Sequence, residues 1–132
     1  MLKKVDHIAI AVKSLYEALG VFDSVLGLKV EHIEDIPDQG VKAATVHVGD
    51  TSIEFLEPTD PQGGVAKFIE RKGEGIHHIC IEVDNIDEEL KSLAAKGVEL
   101  IDRHARDGLA GKIGFLHPRS TKGVLIELVE KV

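Results

Sequence analysis

Asp6-His7-Ile8-Ala9-Ile10-Ala11-Val12, near the start of the chain, and His77-His78-Ile79-Cys80-Ile81-Glu82-Val83, past its middle, place their apolar residues in the same order. The offset between them is 71 residues. The match runs on from Val12-Lys13-Ser14-Leu15 through Ala18-Leu19 into Val83-Asp84-Asn85-Ile86 through Glu89-Leu90. Further along, Leu26-Gly27-Leu28 answers Lys96-Gly97-Val98, and Ser52-Ile53-Glu54-Phe55-Leu56-Glu57 answers Leu125-Ile126-Glu127-Leu128-Val129-Glu130. Self-similarity at a nearly fixed spacing marks a duplicated structural unit. The chain reads as two copies of one module, residues 1–58 and 75–132, joined by a linker and short helix over 59–74.

Each copy predicts the same series of elements. A strand with period-two alternation (Val5 to Val12; Ile76 to Val83) leads to a capping residue, Ser14 or Asn85. A helix follows, with Leu15, Ala18, Leu19 and Phe22 at helical spacing in one copy and Ile86, Leu90, Leu93 and Ala94 in the other. Gly27 and Gly97 stop the two helices. Three shorter strands then come in each copy: Leu28 to Ile33, Lys42 to Val48 and Ser52 to Glu57, and Val98 to Arg103, Lys112 to His117 and Val124 to Glu130. The expected fold is α+β, two tandem βαβββ modules forming a curled mixed sheet around a cleft, within one domain of 1–132. The turn-rich run Thr59 to Gly64 precedes the expected helix Val65 to Lys72. Asp107-Gly108-Leu109-Ala110-Gly111 lacks the spacing of a phosphate loop and reads as a flexible loop over the cleft mouth.

Composition narrows the class of function. At 132 residues, 43% hydrophobic and 30% charged, the chain is an ordinary single globular domain. A net charge of −7 and five aromatics without tryptophan argue against a nucleic-acid or anionic-membrane surface. No apolar run approaches the roughly 20 residues of a membrane span, and no small-residue cleavage site follows the basic start. The lone cysteine, Cys80, lies in an apolar run with no basic neighbour to activate it, which predicts a reducing, cytoplasmic setting.

Alternation along the strands decides which side chains share a surface. Ile8, Ile10 and Val12 form the bulky face that covers the helix and leave His7, Ala9 and Ala11 on the other. In the second copy Ile79, Ile81 and Val83 pack inward and leave His78, Cys80 and Glu82. By the same parity Ile53 and Phe55 face one helix, Ile126 and Leu128 the other, while Glu54 and Glu127 do not. His7, Glu54, His78 and Glu127 therefore all fall on the side away from the helices, one His and one Glu per module. Two imidazoles and two carboxylates suit a borderline or hard divalent ion, Co²⁺, Ni²⁺, Mn²⁺, Fe²⁺ or Zn²⁺. His77 sits one residue off this parity and reads as a support. His32, His47, His104 and His117 have no counterpart in the other module, and Glu82 reads as a rim charge.

These residues resemble the vicinal oxygen chelate superfamily, which includes glyoxalase I, extradiol dioxygenases and fosfomycin-resistance proteins. Within it the chain most resembles the methylmalonyl-CoA epimerases, through DHIAIAV, PDQGV, IEFLEP, GEGIHHICIEVDNID and FLHPRSTKGVLIEL, which together span essentially its whole length. The resemblance implies a metal-dependent isomerase that abstracts the proton between a thioester and a carboxylate and returns it to the opposite face. Glu54 and Glu127 are then the two acid–base groups as well as ligands. Some related epimerases carry Gln at the position of Glu54 and an acidic residue where this chain has Ala43, which puts more of the chemistry on Glu54 here. Glu at that position also matches glyoxalase I, the second reading of the chain, and a non-catalytic small-molecule binder of the same fold is the third. An acyl-CoA substrate needs cations. The stretch Lys96 to Lys122 has six basic residues against three acidic ones, so Arg103, Arg106, Lys112, Arg119 and Lys122 are candidates for the CoA phosphates. An open sheet face and short edges predict a homodimer.

Overall fold

The structure, a computed structural model, describes residues 1–132. The backbone falls into two compact units, His7–His77 and a second made of Met1–Asp6 with His78–Val132. Strand β1 (Leu2–Ala11) contributes its first residues to one and its last to the other. No helix is long and apolar enough to cross a membrane.

In the unit His7–His77, helix α1 (Leu15–Leu26) starts at Ser14, whose hydroxyl oxygen accepts the Glu17 N–H. It ends at Gly27, where φ is 70°. There the N–H groups of Gly27 and Leu28 return to the carbonyls of Asp23 and Phe22, a cap that needs a residue able to adopt left-handed backbone. This cap holds Leu28 on the helix end, so strand β2 begins only at His32 (His32–Ile36), later than the Leu28 start expected from sequence. β3 (Val41–Val48) and β4 (Thr51–Pro58) follow. β2, β3 and β4 are antiparallel neighbours, and β4 lies parallel to β1, giving the order β2-β3-β4-β1.

Both faces of this sheet are covered. On one, Val12, Ala44, Val46 and Phe55 pack against Leu15, Ala18, Leu19 and Phe22 of α1, with the Phe22 and Phe55 rings 4.8 Å apart. On the other, Ala9, Ala11, Ala43 and Leu56 lie under Val65, Phe68 and Ile69 of helix α2 (Gly64–Lys72). The split at the end of β1, with Ile10 and the following Val12 on one side and Ala9 and Ala11 on the other, is the one its alternation predicts.

The second unit repeats the plan. β5 (Gly75–Val83) leads through Asn85, whose side-chain oxygen accepts the Glu88 N–H, into α3 (Ile86–Ala95). β6 (Arg106–Asp107), β7 (Gly111–Leu116) and β8 (Ile126–Lys131) complete the order β5-β8-β7-β6, with β8 parallel to β5. Val83, Ile86, Leu90, Leu116 and Leu128 form the core under α3, and Cys80, Ile113 and Val129 pack with Phe115 on the opposite face. Met1–Asp6 belongs here through the Asp84 N–H bond to the Met1 carbonyl and the Lys3–Glu82 and Lys131–Asp6 ion pairs.

Two stretches of this unit differ from the sequence reading. The strand expected over Val98 to Arg103 is reduced to a bridge between Leu100 and Leu116. The Asp102 carboxylate takes the Phe115 N–H at 2.9 Å, while the Ile101 and Asp102 N–H groups both go to the Phe115 carbonyl. A side chain thus occupies a ladder position the backbone would have used. The expected flexible loop Asp107 to Gly111 is instead the turn of the β6–β7 hairpin, with Arg106 opposite Ile113 and Asp107 opposite Lys112. Its glycines answer close packing: a Cβ on Gly111 would lie 2.1 Å from the Glu130 carbonyl oxygen.

One contact appears in both units. The Glu57 carboxylate at the end of β4 accepts the Leu15 N–H at 2.8 Å, and the Glu130 carboxylate at the end of β8 accepts the Ile86 N–H at 2.8 Å. Each satisfies an unpaired donor in the first turn of a helix and places negative charge at its positive end. Glu57→Ala or Glu130→Ala is expected to cost about 1–2 kcal/mol of stability in urea unfolding, with the glutamine variants losing less because an acceptor remains.

Candidate metal and acid–base site

Parallel pairing sets the register on which the candidate residues stand. In one unit Ala9 of β1 pairs with Glu54 of β4; in the other Cys80 of β5 pairs with Glu127 of β8. Each glutamate therefore sits beside the residue two places after a histidine, on the same face, and its carboxylate reaches back to that ring. His7 Nδ1 lies 3.5 Å from Glu54 Oε2, and His78 Nε2 lies 3.0 Å from Glu127 Oε1. His7, His78 and Glu127 are buried, and Glu54 is half-buried.

Burying a carboxylate is unfavourable unless charge or hydrogen bonds compensate it. In both pairs an imidazole stands next to it. The donor atoms are a ring nitrogen and a carboxylate oxygen, the set that divalent first-row ions accept. The residues present thus fit a divalent ion in their chemistry, with one His–Glu pair from each module.

The surroundings of the two pairs differ. Opposite Glu127 on β7 stands Phe115; opposite Glu54 on β3 stands Thr45. The Phe115 ring meets the His78 ring edge-on, centroids 5.6 Å apart and planes at 80°. On Phe115 rests Arg106, its guanidinium carbon 5.6 Å from the ring centroid, and Arg106 Nε donates to Asp102 Oδ1 at 3.0 Å. Asp102 thus ties both the backbone of Phe115 and the cation above it. Phe115 and Asp102 were not among the residues singled out from sequence. The available signal was position, since Phe115 faces Glu127 once β7 is registered against β8.

The remaining histidines lie apart from these pairs. His77 meets the Phe68 ring of α2 at 4.9 Å, a packing contact in keeping with its off-parity position. His32 pairs with Glu34, His47 Nδ1 with the Ser52 hydroxyl, and His117 lies 3.8 Å from Glu99; His104 is exposed. Glu82 is matched by Lys3 at 3.3 Å. Ala43 is packed between Ala9, Ala11, Leu56 and Val65, so no proton donor stands at that point of β3.

Three of the five candidate phosphate-binding cations already have acidic partners. Arg106 pairs with Asp102, Lys112 with Asp107 at 2.8 Å, and Arg119 with Glu99 at 3.2 Å. The Lys112 partner lowers the Asp107 pKa by hydrogen bonding and charge. Arg103 and Lys122 are exposed.

Residues 6–116 match the family model of the Glyoxalase/Bleomycin resistance protein/Dioxygenase superfamily. The chain is 41% identical to the uncharacterized protein YqjC of Bacillus subtilis (strain 168), over 98% of this chain and 93% of that one. It is 37% identical to the mitochondrial methylmalonyl-CoA epimerase of Homo sapiens, over 96% of this chain and 73% of the human one. A solved structure of a variant of Streptomyces coelicolor methylmalonyl-CoA epimerase in complex with 2-nitronate-propionyl-CoA superimposes with a TM-score of 0.92 at 33% identity, covering 100% of this chain and 96% of that one.

Asp102→Ala removes the acceptor of two donors at once. It is expected to cost about 1–3 kcal/mol in urea unfolding, and Asp102→Asn, which keeps one carbonyl for the Phe115 N–H, less than that.

Proposed function

The chain belongs to the Glyoxalase/Bleomycin resistance protein/Dioxygenase superfamily and, within it, to the family of methylmalonyl-CoA epimerases, and from that premise we propose that it interconverts (2R)- and (2S)-methylmalonyl-CoA. The observation that carries the proposal is the doubled His–Glu pair, delivered at the same strand register by each module.

The reaction removes the proton on the carbon between the thioester and the carboxylate and restores one on the other face. The electron pair left behind is delocalised onto the thioester oxygen, so the site must stabilise an oxyanion and offer acid–base groups on both faces. Glu54 and Glu127 are the proposed groups. One carboxylate takes the proton as the C–H bond breaks, and the other, in its acid form, returns a proton to the opposite face; exchange with water then resets both. With Ala43 packed in the core, Glu54 is the acid–base group that the first module supplies.

His7, Glu54, His78 and Glu127 would hold one divalent ion between them, Co²⁺ in the first instance, with Ni²⁺, Mn²⁺, Zn²⁺ or Fe²⁺ as competitors. Such an ion supplies Lewis-acid stabilisation of the negative charge on the thioester oxygen. For the CoA portion, Arg103 and Lys122 are the first candidates for the phosphates. Arg106, Lys112 and Arg119 would have to exchange an existing ion pair to serve. We place the protein in the cytoplasm, consistent with its lone, buried Cys80, and assign it as a homodimer in which each subunit carries its own site.

Incubation with (2R)-methylmalonyl-CoA in deuterium oxide, followed by NMR, is expected to show deuterium at C2 together with the (2S) isomer. Conversion of a methylglyoxal–glutathione hemithioacetal, with methylmalonyl-CoA left untouched, would favour the glyoxalase reading instead. Glu54→Gln and Glu127→Gln are each expected to lower kcat for epimerisation by about 10²–10⁴-fold. Wild-type rates in both variants would overturn the two-base assignment. His7→Ala and His78→Ala are expected to abolish stoichiometric Co²⁺ by elemental analysis while the far-UV circular dichroism stays that of a folded chain.

A further inference from the structure

Strand β8 lies between β5 and β7, yet the His78 ring of β5 meets the Phe115 ring of β7, centroids 5.6 Å apart and planes at 80°. Neighbouring strands are about 4.8 Å apart, so the two side chains lean toward each other across the strand between them. The approach of His78 Nε2 to Glu127 Oε1, at 3.0 Å, holds one corner of the imidazole. That alone leaves the ring free to turn about the held corner. An aromatic ring packed edge-on against it removes the freedom, and a ligand needs this, because the lone pair of a ring nitrogen lies in the ring plane.

Phe115 is held in turn from the outer edge of β7. Its N–H donates to Asp102 Oδ2 at 2.9 Å, and its carbonyl accepts the Ile101 and Asp102 N–H groups. Phe115 and Glu127 therefore form the non-hydrogen-bonded kind of antiparallel pair, in which opposing side chains stand closer. The Asp102 side chain is only 15% exposed, and its other oxygen accepts Arg106 Nε at 3.0 Å. The guanidinium carbon then rests 5.6 Å from the Phe115 ring centroid, a cation–π contact. One carboxylate thus sets both the backbone of Phe115 and the cation on its ring.

The first module supplies an internal comparison. At the repeat offset of 71 residues, Glu31 stands where the second module has Asp102. The Glu31 N–H also goes to a strand carbonyl, that of Thr45, at 3.0 Å. Its carboxylate accepts the His47 N–H instead, and Thr45, opposite Glu54, has no ring to present. There the His–Glu separation is 3.5 Å and the Glu54 side chain is 27% exposed, against 3.0 Å and 10% for His78 and Glu127. The backbone bracket is common to both modules, and the second aims it at an aromatic residue beside its histidine.

On the reading of His78 as a metal ligand, we propose that Phe115 is a positioning residue that fixes the His78 imidazole for a divalent ion, and that Asp102, with Arg106, positions Phe115.

The full chain, freed of metal with a chelator and isotopically labelled in its histidine rings, gives a first readout by NMR with no ion present. Phe115→Leu keeps apolar bulk and removes the ring. It is expected to shift the His78 ring-proton resonances and leave those of His32 and His47 in place, whereas Phe115→Tyr keeps the His78 resonances near their wild-type positions. Titration with Co²⁺, followed by its visible absorption, is expected to give a dissociation constant on the order of 10–100-fold higher in Phe115→Leu, restored toward the wild-type value in Phe115→Tyr. Asp102→Asn keeps an acceptor for the Phe115 N–H and loses the one for Arg106, so a smaller rise is expected. His78→Ala binding Co²⁺ as tightly as the wild type overturns the ligand reading and the positioning role together. Loss of binding in His78→Ala with wild-type affinity in Phe115→Leu overturns the positioning role alone. If Phe115→Leu loses its circular dichroism signal, Asp102→Asn decides by the same titration, and an unchanged dissociation constant there overturns the proposal.

Discussion

Parallel pairing between the first and last strands of each module is the constraint on which the rest depends. A parallel neighbour cannot be reached by a tight turn, so the chain must leave β1 or β5, travel, and come back in the same direction. The helix is placed early on that route, and its burial fixes which face of the first strand is apolar. Once Ile10 and Val12 are committed to α1, and Ile81 and Val83 to α3, His7 and His78 have no choice of side. The register Ala9–Glu54 and Cys80–Glu127 then brings a carboxylate to each imidazole. A slip of one residue in either pairing would turn the glutamate into the helix core.

The same return path is fastened at its end. Glu57 and Glu130 come from the strands that carry Glu54 and Glu127, three residues further on and on the opposite face, and reach the first turn of the helix. One strand therefore offers a carboxylate to the candidate site and another to the helix start. Alternation makes the two compatible, since residues separated by an odd number point to opposite faces. The duplicated module preserves both contacts although the sequences around them have diverged.

Divergence is concentrated where the fold places no demand. The residues opposite the two site glutamates are Phe115 and Thr45. The absence of an acid at Ala43, buried under α2, follows the same logic, because the α2 side of that sheet needs small apolar residues beneath Val65, Phe68 and Ile69.

The repeat, the βαβββ order, the parity of the strands and the placement of His7, Glu54, His78 and Glu127 on the faces turned away from α1 and α3 were legible in the sequence, because they rest on periodicity and on which residues can be buried; that α2 covers part of the face carrying His7 and Glu54 was not. Capping by Ser14, Asn85 and Gly27 was legible for the same local reason. The late start of β2, the collapse of the Val98 to Arg103 strand into a single bridge and the tight hairpin at Gly108 to Gly111 were not, because each is decided by a partner distant in the chain. Leu28 is held by a helix-end carbonyl, Asp102 by the Phe115 N–H, and Gly111 by the close approach of Glu130. Tertiary structure alone also decided that Phe115 stands against His78 and that Arg106, Lys112 and Arg119 are engaged by acids. Sequence lists which charges are present, whereas their pairing depends on distances of a few ångströms that only the folded chain sets.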